Sequence, residues 1–342
     1  MIPRSLLIVA LLICSATAAQ PQIKLLTKDE AAVAILEEKI EPYFKLLTLP
    51  DMAAKLRALP EGDTVEAQRE DFKRKYAGFV MDFSEEDKAI IEASLTKVQP
   101  VLEKHYPLIA RTPWSIIKKS DLLEGGAHFT REAHVVLSSH VLARATKLEK
   151  DGKHDAAILT LLPLLLHEQM HILQRMHPKT FANLYEKVWG YEYAAKITAT
   201  DWLDKRQVVN PDGVDVNWLI PMKNDAGEMT LLWPRIVLSK TDGVPMMFRD
   251  MQMVLIEVEK KDETYAVKLQ DDVSPVMSPL LKSQAFAERF PHGNAYHPNE
   301  TAAAALPSVI LADLFPELEE RKPEAILKHE KTSRQWMLEN FK

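Results

Sequence analysis

The sequence predicts an α+β protein, mainly helical, with a small sheet near its middle and a β-rich stretch after it. Three observations carry that expectation. Apolar residues recur at helical spacing early and late in the 342-residue chain, the mark of helices with one buried face. Between 208 and 270 the pattern changes to short runs that suit strands, broken by turn signals such as Asn210-Pro211-Asp212-Gly213. The composition, 46% hydrophobic and 27% charged, is that of an ordinary globular protein and excludes a disordered chain. The length suits one large domain or two ordinary ones.

Residues 1–19 read as a secretory signal peptide, with Arg4, an apolar run over 6–14 and small residues at Ala16-Thr17-Ala18. That run is too short to span a bilayer, and no other stretch is read as a membrane span. An exported protein without stable membrane insertion is expected, periplasmic or secreted. Cys14 is the only cysteine and leaves with the leader, so the mature chain is expected to have no disulfide, thiol nucleophile or cysteine metal ligand. Ile13 stands where a lipoprotein signal wants a small residue. Ten glycines are few, and neither GxGxxG nor GxxxxGK[ST] occurs, so dinucleotide and P-loop sites have no support. A formal net charge of -6 offers no footprint for nucleic acid.

A helical N-terminal lobe is expected over 20–110. It opens on the capping box Thr27-x-x-Glu30. Ala32, Val33, Ile35, Leu36, Ile40 and Phe44 extend one helix toward Leu47, and further helices cover 64–80 and 84–104. A core region over 111–205 follows. It holds strands at 114–120 and 128–137, the second after the turn Gly125-Gly126. A strongly apolar helix covers 154–176, where Pro163 predicts a start near Thr160 or a kink. Pro178 opens another helix toward Trp189. The β-rich region, 206–275, reads as two hairpins, 214–222 with 229–238 and 251–259 with 264–270. In the C-terminal helical lobe, 276–342, Pro298 opens an Ala-rich helix toward Leu314, and the end of the chain is helical and charged.

His167-Glu168-Gln169-Met170-His171 is an HExxH motif on the apolar helix. Residues i and i+4 share one helix face, so both imidazoles can reach a single zinc ion. Glu168 projects from an adjoining position, where its carboxylate can take a proton from water at the metal. Leucines on several faces of the helix predict that it is buried. Two buried histidines beside a buried glutamate are costly without a partner, and zinc would be one; the plain alternative is a solvated turn with coincidental histidines.

The motif resembles that of the zincin metallopeptidases, and three candidates could complete the ligand set. His177 completes HExxHxxQxxH, which has metzincin spacing, but Gln174 stands where metzincins have Gly. A helix continuing past His171 turns His177 away. Glu186 or Glu192 on the next helix would suit a gluzincin with a short spacer. Glu300 is preferred, because Tyr296-His297-Pro298-Asn299-Glu300 resembles the HPxE helix of exported bacterial HExxH proteins, in which a downstream Glu looks like a gluzincin third ligand. Segments 126–137 and 209–218 are similar to the same group. One departure is Ala304, four positions after Glu300, where gluzincins often place an acid that holds a ligand histidine.

The resemblance implies a two-lobed zincin-like fold with a cleft between the lobes, and one Zn2+ per chain held by His167, His171 and Glu300. It implies Glu168 as general base on a peptide or protein substrate. Tyr296 and His297, next to the preferred ligand, would be placed to polarise the scissile carbonyl. Zincin substrates pair with an edge strand above the site, which would turn His128 and Arg131 toward the cleft. The sequon Asn299-Glu300-Thr301 is discounted, since a buried ligand is a poor glycan acceptor. An inactive zincin-like binding protein and a zinc hydrolase of a non-peptide amide stay open as alternatives. Deformylase chemistry is disfavoured for want of its cysteine ligand.

Overall fold

The computed structural model describes residues 20–224, 226–293 and 296–342; the leader read at 1–19 lies outside them. In chain order the first part comprises β1 (Ile23–Leu25), α1 (Lys28–Ala34), α2 (Tyr43–Leu46), α3 (Leu49–Leu56), α4 (Val65–Ala77), β2 (Val80–Met81), α5 (Glu85–His105) and α6 (Pro107–Arg111). Next come β3 (Trp114–Lys119), β4 (Phe129–Arg131), β5 (His134–Ser138), α7 (Ser139–Lys150), α8 (His154–Met176) and α9 (Pro178–Asn183). The β-rich part holds β6 (Glu192–Tyr193), β7 (Ile197–Thr198), α10 (Asp201–Asp204), β8 (Trp218–Lys223), β9 (Met229–Leu238), β10 (Met251–Lys261), β11 (Thr264–Val267) and β12 (Met277–Pro279). Helices α11 (Gln284–Arg289), α12 (Pro298–Leu314) and α13 (Glu324–Asn340) close the chain. The protein is α+β, as its sequence predicts.

Strands β1, β3 and β5 run parallel, β4 returns antiparallel to β5, and β2 pairs with the far end of β3. Alternate residues of such strands face opposite sides. Trp114, Ile116, Val135 and Leu137 accordingly join the main core with α5, α7 and α8. Ile117, Val136 and Phe129 face a second core built with α1 to α4. The 20–110 stretch thus contributes two strands and helices on both faces of this sheet.

The other sheet runs β6-β8-β9-β10-β11-β7, with β12 also on β10. Both expected hairpins form, β8 with β9 and β10 with β11. One face of this sheet joins the main core through Ile220, Leu232 and Leu255, and the other buries Trp233, Val254 and Ile256.

Two expectations need correction, and a third is narrowed to one of its alternatives. The helix read from Thr27 toward Leu47 stops after Ala34, and α2 is separate. Between them the Glu132 carboxylate accepts the N–H groups of Lys39, Ile40 and Glu41, and Pro42 blocks continuation. The strand read over 128–137 is a hairpin, β4 and β5, which turns at Glu132 with φ +53°. Helix α8 starts at His154 and runs through Pro163. It is long and apolar enough to cross a membrane by length and composition, but 67% of its apolar window is buried inside the fold.

Candidate metal centre

The HExxH segment lies in the second half of α8, where Leu165, Leu166, Met170, Ile172 and Leu173 pack into the main core. That packing fixes the helix rotation and turns the remaining face toward α12. His167 and His171 stand one turn apart on that face, their Nε2 atoms 3.2 Å from one another. Proline at the first turn of α12 presets the backbone, and Glu300 follows in that turn. Its Oε2 lies 3.5 Å from His167 Nε2 and 3.7 Å from His171 Nε2. The three side chains form a group able to hold a metal ion.

The surrounding hydrogen bonds fix the donor atoms. His171 Nδ1 and Gln174 Oε1 are 2.9 Å apart. An amide oxygen can only accept, so the proton sits on Nδ1 and Nε2 keeps its lone pair. Gln174 in turn donates to the Asn299 carbonyl at 2.9 Å, tying α8 to the start of α12. Asn210 donates to the other Glu300 oxygen at 2.6 Å and to the Tyr296 hydroxyl at 3.3 Å.

Burial sets the His171 pKa low, at about 3, so this ring is neutral. Burial also works against charge on His167, but the Glu300 carboxylate beside it raises its pKa. For Glu300, burial acts upward and is outweighed by His171, His167 and the Asn210 amide, which hold the carboxyl below its ordinary range.

Glu168 is buried behind the two histidines, and its carboxylate forms a second close group with His171 and Asp212. Desolvation, then the Asp212 and Glu300 charges, raise the Glu168 pKa well above normal. Asp212 is likewise pushed up, to about 7, by burial and by Glu300, although the Thr130 N–H opposes this at 2.6 Å. Two buried carboxyl groups this close each make the other harder to ionise.

Arg175 pins this arrangement from below. It donates to Glu41 Oε2 at 2.6 Å and to the Pro211 carbonyl at 2.6 Å, and it also reaches the Thr130 hydroxyl. The loop carrying Asn210 and Asp212 is thereby fastened to the end of the helix that carries the histidines.

The remaining site candidates scatter. Tyr296 lines the cavity beside Glu300, and burial raises the pKa of its hydroxyl, which stays protonated. His297 is buried off that cavity, its Nδ1 2.6 Å from Asn299 Oδ1; as the N-cap of α12 it has a backbone role, not the expected place beside a carbonyl. His128 lines the cavity. Burial lowers its pKa to about 4, and Nδ1 accepts the Ser138 N–H at 3.2 Å, leaving the proton on Nε2.

Arg131 does not face the cleft. It is fully buried, its guanidinium lies over the rings of Tyr43 and Phe44, and it donates to the Glu37 carbonyl. The expected pairing of a substrate along this strand is also restricted, because the Thr130 N–H is taken by Asp212. Only the Ala127 and His128 end of the segment lines the cavity together with Phe129.

His177 caps the end of α8 outside the donor group, Glu186 is exposed, and Glu192 bonds Lys260 and Tyr265 elsewhere. Sequence reading missed Gln174, Arg175, Asn210 and Asp212 as site residues. The Asn210-Pro211-Asp212-Gly213 turn was visible, but nothing in its spacing says which side chains it presents to α8. The chain matches no protein-family model, no curated protein and no solved structure.

Proposed function

We propose that the protein is a zinc-dependent hydrolase of peptide bonds with a zincin-like, gluzincin-type centre, working after export from the cytoplasm. One observation carries the reading: two imidazole nitrogens and a carboxylate oxygen, from helices more than a hundred residues apart in sequence, converge with separations of 3.2, 3.5 and 3.7 Å. Ligands about 2.0–2.1 Å from a tetrahedral zinc ion stand roughly 3.3 Å from each other, so the donor set suits that ion in number, type and spacing. Zinc in such a site supplies Lewis acidity and brings the pKa of water to about 7.

The chain's own groups account for the proton traffic. Glu168, its carboxylate close to His171 and Asp212, is the group placed to take a proton from the attacking water. Glu168, next to His167 on the helix, is the group placed to pass a proton to the leaving nitrogen. The Tyr296 hydroxyl and His128 Nε2–H are the donors available to the substrate's carbonyl oxygen. Asn210 keeps Glu300 oriented throughout.

Elemental analysis beside a peptide-cleavage assay tests this. The mature protein should carry about one zinc per chain, and Glu300→Ala should lose most of it. Glu168→Gln should keep the zinc while hydrolysis falls by about 10²–10⁴-fold. A protein that takes up no zinc, or a Glu168→Gln variant that cleaves as fast as its parent, would overturn the proposal.

A further inference from the structure

Next to Glu300 and Tyr296 opens a cavity of about 610 Å³, which runs to Lys55 and Glu124 at its other end. We infer that it is a specificity pocket for bulky apolar side chains of an internal peptide segment, with Met247, Met251 and Met253 as its selecting wall. The inference rests on the peptidase reading and deepens it.

The first observation is the wall itself. Met251 and Met253 are two apart on β10, so both project from one face of the strand. They line the cavity with Met247, Ile236, Val208 and Leu281. Methionine is flexible and polarisable and packs against many shapes. Such a wall selects for size and apolarity rather than for one residue. The volume is that of a small-molecule site, with room for more than one side chain.

The second observation is what the far end does not offer. Lys55 Nζ is held by Glu124 at 2.9 Å, by the Val209 carbonyl at 2.9 Å and by Asp51 at 3.6 Å. The other Glu124 oxygen accepts the hydroxyls of Tyr43 and Tyr76 at 2.6 and 3.1 Å. Both charges are buried and spent on each other, so neither can hold the α-amine or α-carboxylate of a chain end. The substrate therefore enters as an internal segment.

The third observation is the entrance. Phe248 and Met247, which line the cavity, rest on Gly125 beside it: a Cβ at position 125 would lie 2.8 Å from Phe248 Cε2 and 3.0 Å from Met247 Cβ. The loop 239–250 thus roofs the pocket. Phe248 is nonetheless 63% exposed, as is Leu281 at 68%, and both line the cavity. An apolar rim of this kind marks an interaction site.

The test separates binding from turnover. Peptides blocked at both ends, with Ala, Leu, Phe, Glu or Lys beside the target bond, would be titrated into zinc-loaded Glu168→Gln protein and incubated with the wild type. Leu and Phe peptides should bind and be cut about tenfold or more better than Ala, and the charged ones should be poorest. Met251→Lys should erase that preference and Phe248→Ala should weaken it, while zinc content and binding of a small hydroxamate stay unchanged in both.

A flat series in both assays overturns the pocket, as does tighter binding of fatty-acyl amides than of any peptide. Cleavage only of peptides with a free end overturns the internal-segment claim. Apolar preference in binding with no cleavage by the wild type leaves the pocket standing and removes the peptidase reading instead.

Discussion

Gln174 and Asn210 show how much of the centre is decided by single side chains outside the HExxH motif. Ala304 offers no carboxylate four positions after Glu300 to hold the second nitrogen of a histidine in the donor group. Gln174 does this for His171, and Asn210 holds Glu300. Partners of this kind typically contribute 10- to 100-fold in metal affinity. Gln174→Ala and Asn210→Ala should therefore each weaken zinc binding by about that factor, measured by competition with a chromophoric chelator. Unchanged affinity in both would mean that the ligands are oriented by helix packing alone. His167, Glu168 and His171 could be grouped from the sequence because the i, i+4 spacing has a direct geometric consequence, whereas Glu300 was singled out among several candidates only by a resemblance. Arg131 was misplaced for a related reason. Alternation along a strand says which residues share a face, but not that Tyr43 and Phe44 cover one of those faces.

Among the elements, those governed by local rules were the readable ones. Helix α8 has the predicted bounds of 154–176, and α4, α5 and the two β-rich hairpins lie within a few residues of expectation. The misreadings trace to long-range contacts. Glu132 sits more than ninety residues from the 39–41 backbone that it holds out of helix, and the same residue turns the 128–137 stretch back on itself. The docking of α13 adds a pH dependence. His329 on this helix packs against His292, their ring centroids 5.1 Å apart. Burial lowers both pKa values to about 4, helped by Lys322 for His292 and by His292 for His329. Their pKa values in the unfolded chain are near 6.5, so the unfolded state binds more protons between these limits. The pair imposes no penalty above pH 6.5, and stability is lost as the pH falls from there through about 4. With about 1.4 kcal/mol per unit and some allowance for partial exposure, the loss is on the order of 3 kcal/mol. Urea melts at pH 7 and pH 4.5 should show a slope of this sign, to which the other buried histidines add, and His329→Gln should make it measurably shallower. An equally steep slope in the variant would place the acid sensitivity elsewhere.

At the scale of the whole molecule, the donor cluster is where distant parts of the chain are tied together. His167 and His171 come from α8, Glu300 from α12, Asn210 and Asp212 from the loop before β8, and Arg175 fastens that loop and Glu41 to α8. Both sheets and the N-terminal helices thus meet around one set of buried polar groups. No pattern within a single element shows such a junction. A metal ion there should staple the fold, because it binds the native arrangement and not the unfolded chain. At a thousandfold excess over Kd the linkage contributes about 4 kcal/mol, which for a chain of this size is a melting shift of about 6 °C. Thermal melts with saturating zinc and with excess chelator should differ by that amount in the wild type. Glu300→Ala should melt at nearly one temperature in both conditions, close to that of the chelated parent. If the chelator leaves the wild-type transition in place, the junction is held by Arg175 and its hydrogen bonds. Glu300 would then serve as the buried partner of His167, not as a ligand.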